Sequence, residues 1–92
     1  MTLIPAALPA IADRRHSVVR FAMKDGARLV TVLVKRSALA EIEPLPVHTH
    51  FFETFKRFRK VFEQIANDKH ARRKIEADGT ICIDAIDVPV VA

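Results

Sequence analysis

The sequence predicts an α+β domain: an antiparallel sheet of about three strands with one short and one long amphipathic helix, in the order strand-strand-helix-helix-strand. Three observations predict it. Two β-branched segments flank an Asp25-Gly26 turn, a Phe-rich segment from residue 51 repeats its apolar positions at helical spacing, and a short alternating segment follows Asp78-Gly79.

Residues 1–16 read as an N-terminal arm. Pro5 and Pro9 forbid a long helix and favour extended or irregular chain. Leu3, Ile4, Leu8 and Ile11 are apolar enough to dock on this domain's core or on a neighbouring subunit. The domain proper spans 17–87, and 88–92 form a C-terminal tail that Pro89 keeps out of regular pairing.

Residues 17–23 are β-branched and aromatic, hence a strand. Lys24-Asp25-Gly26 supplies the turn chemistry of a hairpin. The strand at 27–35 is the strongest in the chain. Val30, Val32 and Val34 point one way and Leu29, Thr31 and Leu33 the other, so it is expected to be central and covered at least partly on both faces. Ser37 reads as the N-cap of a short helix over Ala38 to Glu43, with Leu39 and Ile42 inward and Glu41 in its first turns; Pro44 and Pro46 end it.

Thr49 reads as the N-cap of the main helix, which runs to about Asn67–His70. At 100° per residue Phe51, Phe55, Phe58, Phe62 and Ile65 fall within an arc of about 80°. Glu53, Lys56, Arg57, Lys60 and Glu63 fall on the opposite side, and Arg59 is the one charge at the border. Residues 80–86 alternate and form the last strand.

Composition bounds the function. The 92 residues carry a formal charge of +4, one cysteine and no Trp or Tyr, which describes one domain with no disulfide framework and no Cys-cluster zinc site. The charge is uneven: residues 48–76 hold eight basic against four acidic side chains, whereas 77–92 hold three Asp and no base. No apolar run reaches the ~20 residues of a membrane span. The first residues place charge after the apolar stretch, the reverse of a signal peptide, so the expected compartment is the cytoplasm, with no membrane partner.

Val19-Arg20-Phe21, Asp25-Gly26, the Val30 to Val34 strand leading into Ser37-Ala38-Leu39, then Phe55, Arg59, Ile65-Ala66 and Asp78-Gly79-Thr80 follow one another in an order that resembles the small bacterial proteins grouped as domain of unknown function 1488. The resemblance covers about residues 18–87. It implies a compact bacterial α+β domain and brings no catalytic residue, cofactor or ligand with it.

Candidates for chemistry are few. His48-Thr49-His50 has a metal-ligand spacing on a strand but sits at a helix start, and His16, His70 and Cys82 are distant in sequence. Cys82, between Ile81 and Ile83, reads as a small apolar strand residue. Two glycines, both in turns, leave no phosphate loop. No catalytic, metal or cofactor residue is therefore assigned, and the chain is expected not to be an enzyme. Arg20 and Arg59 sit among apolar neighbours: their aliphatic stems either run past these to water or bring the guanidinium to a carboxylate partner, Asp84 being one choice.

The possible anion contacts are Lys56, Arg57 and Lys60 on the outer helix face and Arg72, Arg73 and Lys74 beyond its end. Phe51-Phe52-Glu53 at the helix start is unlike a base-reading element, and Glu53 and Glu63 are spaced to pair with the stripe. The leading expectation is a non-enzymatic interaction module that self-associates, as a dimer, because Val18, Leu29, Leu33 and the arm leave surplus apolar surface. The alternative is nucleic acid or an acidic partner on the basic helix face.

Overall fold

Gly26, with φ 63°, and Ala27 reverse the chain between Asp25 and Arg28. Glycine is the residue that adopts this φ at no steric cost, and it stands at the first central position of the two-residue turn. The turn lies one residue later than the sequence predicts. In the computed structural model, which describes residues 3–6, 8–13, 18–42 and 51–88, the hairpin joins strands Val18–Asp25 and Arg28–Lys35.

The described elements are β1 (Ile4–Pro5), β2 (Ile11–Asp13), β3 (Val18–Asp25), β4 (Arg28–Lys35), α1 (Arg36–Ile42), α2 (Phe51–Arg57), α3 (Arg59–Ala71) and β5 (Ile81–Ile83), then one 3-10 turn, Ala85–Asp87. Five strands form one sheet in the order β1-β3-β4-β5, with β2 also on β3. The α+β class and the element order agree with the sequence. The sheet has more strands than predicted, because the arm contributes β1 and β2. Pro5 has no N–H to donate, which suits an outermost strand. Leu3 is buried, and its N–H donates to Asn67 Oδ1 of α3 at 3.0 Å, so the arm docks on its own chain.

The sheet is also mixed rather than antiparallel. β5 runs parallel to β4, with Leu33 opposite Cys82. The chain leaves β4, crosses through all three helices and re-enters beside it; a crossover returns the chain in the original direction, whereas a tight turn reverses it. The antiparallel sheet expected from the sequence is corrected here: strand side-chain patterns are blind to direction, and only the long helical crossover makes this pairing parallel.

The core lies between one sheet face and the helices. Val19, Phe21, Met23, Val30, Val32, Val34, Ile81 and Ile83 cover that face, and Ala38, Leu39, Phe55, Phe62, Ile65 and Ala66 pack on it. Phe55 is the hub: its ring centroid lies 5.3 Å from Phe21, 5.8 Å from Phe62 and 6.1 Å from Phe52. Thr54 is fully buried beside them.

Three local expectations are corrected. α1 begins at Arg36, so Ser37 lies inside the helix instead of capping it, and Glu41 falls near its end. The main helix is interrupted at Phe58, whose φ of −111° and ψ of 22° leave the helical region. Its N–H is shared between Thr54 O and Phe55 O, each at 3.2 Å, a local 3-10 tightening that a 3.6-residue periodicity does not reveal. The last strand stops at Ile83 because Asp84 turns the chain into the 3-10 turn, where Asp87 Oδ2 accepts from Asp84 N–H at 2.9 Å. Thr49, His16, His48, His50, Glu43, Pro44, Pro46 and Pro89 lie outside the described residues, as do the side chains of Ile42 and Phe51.

Candidate functional site

Residues that pair across strands share a face, so the register identifies what lines the side of the sheet away from the helices. One row reads Ile11, Arg20, Leu33, Cys82. A second reads Ile4, Lys24, Leu29, and a third Asp13, Val18, Lys35; Ala22 and Thr31 pair between the first two. Among the described residues no helix covers this face. Ile4, Ile11 and Leu29 are 52%, 57% and 55% exposed, and Leu33, Val18, Ala22 and Cys82 are half-buried. The expectation that β4 is covered at least partly on both faces holds fully for one: its valines are buried, while on the other Leu33 is half-buried and Leu29 and Thr31 are exposed.

Two of the three cations on this face, Arg20 and Lys35, have carboxylate partners, and Lys24 is exposed at its hairpin end. Arg20 Nη2 lies 3.8 Å from Asp13 Oδ2, and Lys35 Nζ lies 3.1 Å from Asp84 Oδ1. The Asp84 contact raises the Lys35 pKa, through the hydrogen bond first and the charge second. Asp84 therefore serves Lys35, not the two arginines. Arg59 pairs with Glu63 on its own helix at 3.2 Å, and its guanidinium lies over the rings of Phe21 and Phe55 at 5.6 and 5.9 Å. The apolar stripe thus tolerates Arg59 at its border by cation–π contact.

The six basic positions form two groups. Lys56 pairs with Glu53 at 3.4 Å and lies over Phe52, Arg57 lies over the Phe58 ring, and Lys60 is exposed. Arg72 pairs with Asp68 at 3.3 Å, and Arg73 and Lys74 are exposed. The rise from Lys60 to Arg72 is about 18 Å at 1.5 Å per residue, so the groups stand towards opposite ends of α3. The second group closes the helix. Arg73 adopts φ 59°, its N–H donates to His70 O at 3.1 Å, and the Lys74 N–H donates to Lys69 O at 2.8 Å, the two bonds of a Schellman cap. Cations there also complement the helix dipole, which accounts for them without an external anion.

Two polar constellations were not legible in the sequence. His70 Nε2 lies 3.3 Å from Asp25 Oδ2, both side chains being 17% exposed, beside a cleft of about 340 Å³ that Thr31, Asp78 and Thr80 also line. Asp25 Oδ1 is buried and has no hydrogen-bond partner among the described residues. The second is centred on Lys69, whose Nζ donates to Cys82 O at 2.6 Å and to Asp87 Oδ2 at 2.9 Å. Burial pushes the Asp87 carboxyl up, but the Asp84 N–H and Lys69 outweigh it and hold its pKa below the usual value. The one clue was that Lys69 falls in the middle of the apolar stripe, where a lysine needs a partner.

Cys82 lies on the open face, half-buried, with its thiol pKa pushed up by burial, whereas His70 and Asp25 lie on the helix side. The sheet therefore separates the thiol from this histidine. Among the described residues no group of three or more His, Cys, Asp or Glu is placed to hold a metal, and no helix is long and apolar enough to cross a membrane.

These features define a class: a small two-layer α+β domain with a mixed sheet, helices on one face and the other face open. Within that class the chain belongs to the DUF1488 family, a group of proteins of unknown function whose family model matches residues 8–83. It is similar to the crystal structure of a DUF1488 protein of unknown function from Shewanella loihica PV-4, at 14% identity and a TM-score of 0.77, over 90% of this chain and 92% of that one. No curated protein matches the chain.

Proposed function

We propose that this chain is a non-enzymatic, self-associating module of the bacterial cytoplasm, in which two copies pack open sheet face to open sheet face. The row Ile11, Arg20, Leu33, Cys82 carries the reading: apolar side chains run across four strands, and the arginine among them is paired with Asp13. Pairing of Arg20 and Lys35 leaves Lys24 as the one cation of the face without a described partner, which lowers the like-charge repulsion between two identical faces and leaves little uncompensated charge for phosphates. The strands, of two, three, eight, eight and three residues, give a face of about 380 Å² in plan, from 4.8 Å per strand and 3.3 Å per residue. That is below the roughly 800 Å² of accessible surface per partner of a stable interface, so the dimer is expected to be reversible.

Light scattering during size-exclusion chromatography tests this. The wild type dimerises over roughly the micromolar range and the double variant Ile11→Asp/Leu29→Asp is a folded monomer; a wild type that stays monomeric at several hundred micromolar sinks the reading. The rival is anion binding by Lys56, Arg57, Lys60, Arg72, Arg73 and Lys74. Anisotropy with a labelled oligonucleotide at about 50 mM salt would favour it if binding appeared and Lys60→Glu/Lys74→Glu abolished it.

A further inference from the structure

A sheet that ends in a free strand offers unpaired N–H and C=O groups to any other extended chain. The β1/β2 side of this sheet is protected by brevity, two and three residues long, and by Pro5. Among the described residues β5 has no strand beyond it. In an extended segment, residues i and i+2 present their backbone groups to the same edge. The Cys82 C=O and the Asp84 N–H are such a pair, and Asp84 is extended at φ −105° and ψ 172°. Both are taken by side chains of this chain: Lys69 Nζ donates to Cys82 O at 2.6 Å, and Asp87 Oδ2 accepts from Asp84 N–H at 2.9 Å. The two side chains also bond to each other at 2.9 Å and are 15% and 17% exposed.

We infer that the Lys69–Asp87 pair is an edge clip that stands in for a further strand, and that releasing it opens β5 to strand addition by a second copy of this chain. The ammonium supplies the donor and the carboxylate the acceptor that a neighbouring backbone would have supplied. Their mutual ion pair holds both in place. A cleft of about 480 Å³ adjoins the clip, and Ile86, 92% exposed, sits at its rim, so an added chain meets open space and apolar surface there. The clip also bears on the proposed self-association: with both edges closed, face packing is the route left to a second copy. The inference rests on that reading only in this last step.

The test compares Lys69→Met, Asp87→Ala and Lys69→Arg with the wild type by light scattering and amide hydrogen exchange. The first two variants should form species larger than the wild type, growing with concentration, with exchange slowed across 81–84 in the assembled form. Lys69→Arg, which keeps a donor and a charge, should match the wild type. Should Lys69→Met fail to fold, Asp87→Asn carries the test, since it keeps an oxygen for the Asp84 amide and loses only the ion pair; enlarged species support the clip. Folded variants of wild-type size up to several hundred micromolar would overturn it. A monomeric wild type with enlarged variants would refute face-to-face pairing and leave the clip standing.

Discussion

The two faces of one sheet are built differently. The face under the helices is centred on eight buried apolar strand residues, Val19, Phe21, Met23, Val30, Val32, Val34, Ile81 and Ile83, with Asp25 and Arg28 at its hairpin margin. The opposite face alternates apolar residues with Arg20, Lys24, Thr31 and Lys35 and leaves Ile4, Ile11 and Leu29 more than half exposed. The first face is fixed by area removed from water, which is nondirectional and tolerates no charge. The second is held in a state that both water and a partner can satisfy, since its apolar groups are separated and Arg20 and Lys35 are paired. Stability is therefore concentrated on one side, and freedom to vary on the other.

Replacing Phe55 breaks the first face hardest. Phe55→Ala removes a ring that touches three other rings and the Arg59 guanidinium, and about 3–5 kcal/mol of unfolding free energy should be lost in urea titration. The turn and cap come next, where backbone conformation decides. Gly26→Ala meets no atom within 4 Å, so its cost of roughly 1–2 kcal/mol arises from the positive φ alone. Arg73→Gly relieves the same strain in the Schellman cap and should gain about 1 kcal/mol, read as a raised melting temperature.

Acid sharpens the comparison at the edge where the two faces meet. The folded-state pKa of Asp87 is lowered, so the unfolded chain binds its proton more readily. The stabilisation is complete above the ordinary aspartate value of about 4 and fades as the pH falls through the lowered one. Asp87→Asn should remove that part of the acid dependence, measured as the change in melting temperature with pH. The smallest effect belongs to the open face: Leu29→Ser should change unfolding free energy by no more than about 0.5 kcal/mol when measured on dilute, dissociated protein. A loss of several kcal/mol there would show that the face is covered within the single chain.

Much of the architecture was legible because periodicity is local. The valines of β4 and the phenylalanines of the main helix announce which side is buried, and Asp25-Gly26 announces the reversal. The short strands of the arm were not legible, since Ile4–Pro5 and Ile11–Asp13 become strands only by borrowing β3 as a template. The open face was half legible: Val18, Leu29 and Leu33 read as surplus apolar surface, but the row that joins Leu33 to Ile11, Arg20 and Cys82 follows from register. The clip was not legible, because Lys69, Cys82, Asp84 and Asp87 meet through contacts 13 and 18 residues apart.

The sequence by itself determined the class, the order of elements, the Phe-rich core and the membership of a family. Those follow from side-chain period and turn chemistry, which act over a few residues. Tertiary structure alone decided that β5 enters parallel, that Phe58 interrupts the helix, that Asp84 serves Lys35, and that Lys69 and Asp87 close the sheet. These depend on which distant groups come within hydrogen-bonding reach, and chain order carries no direct record of that distance.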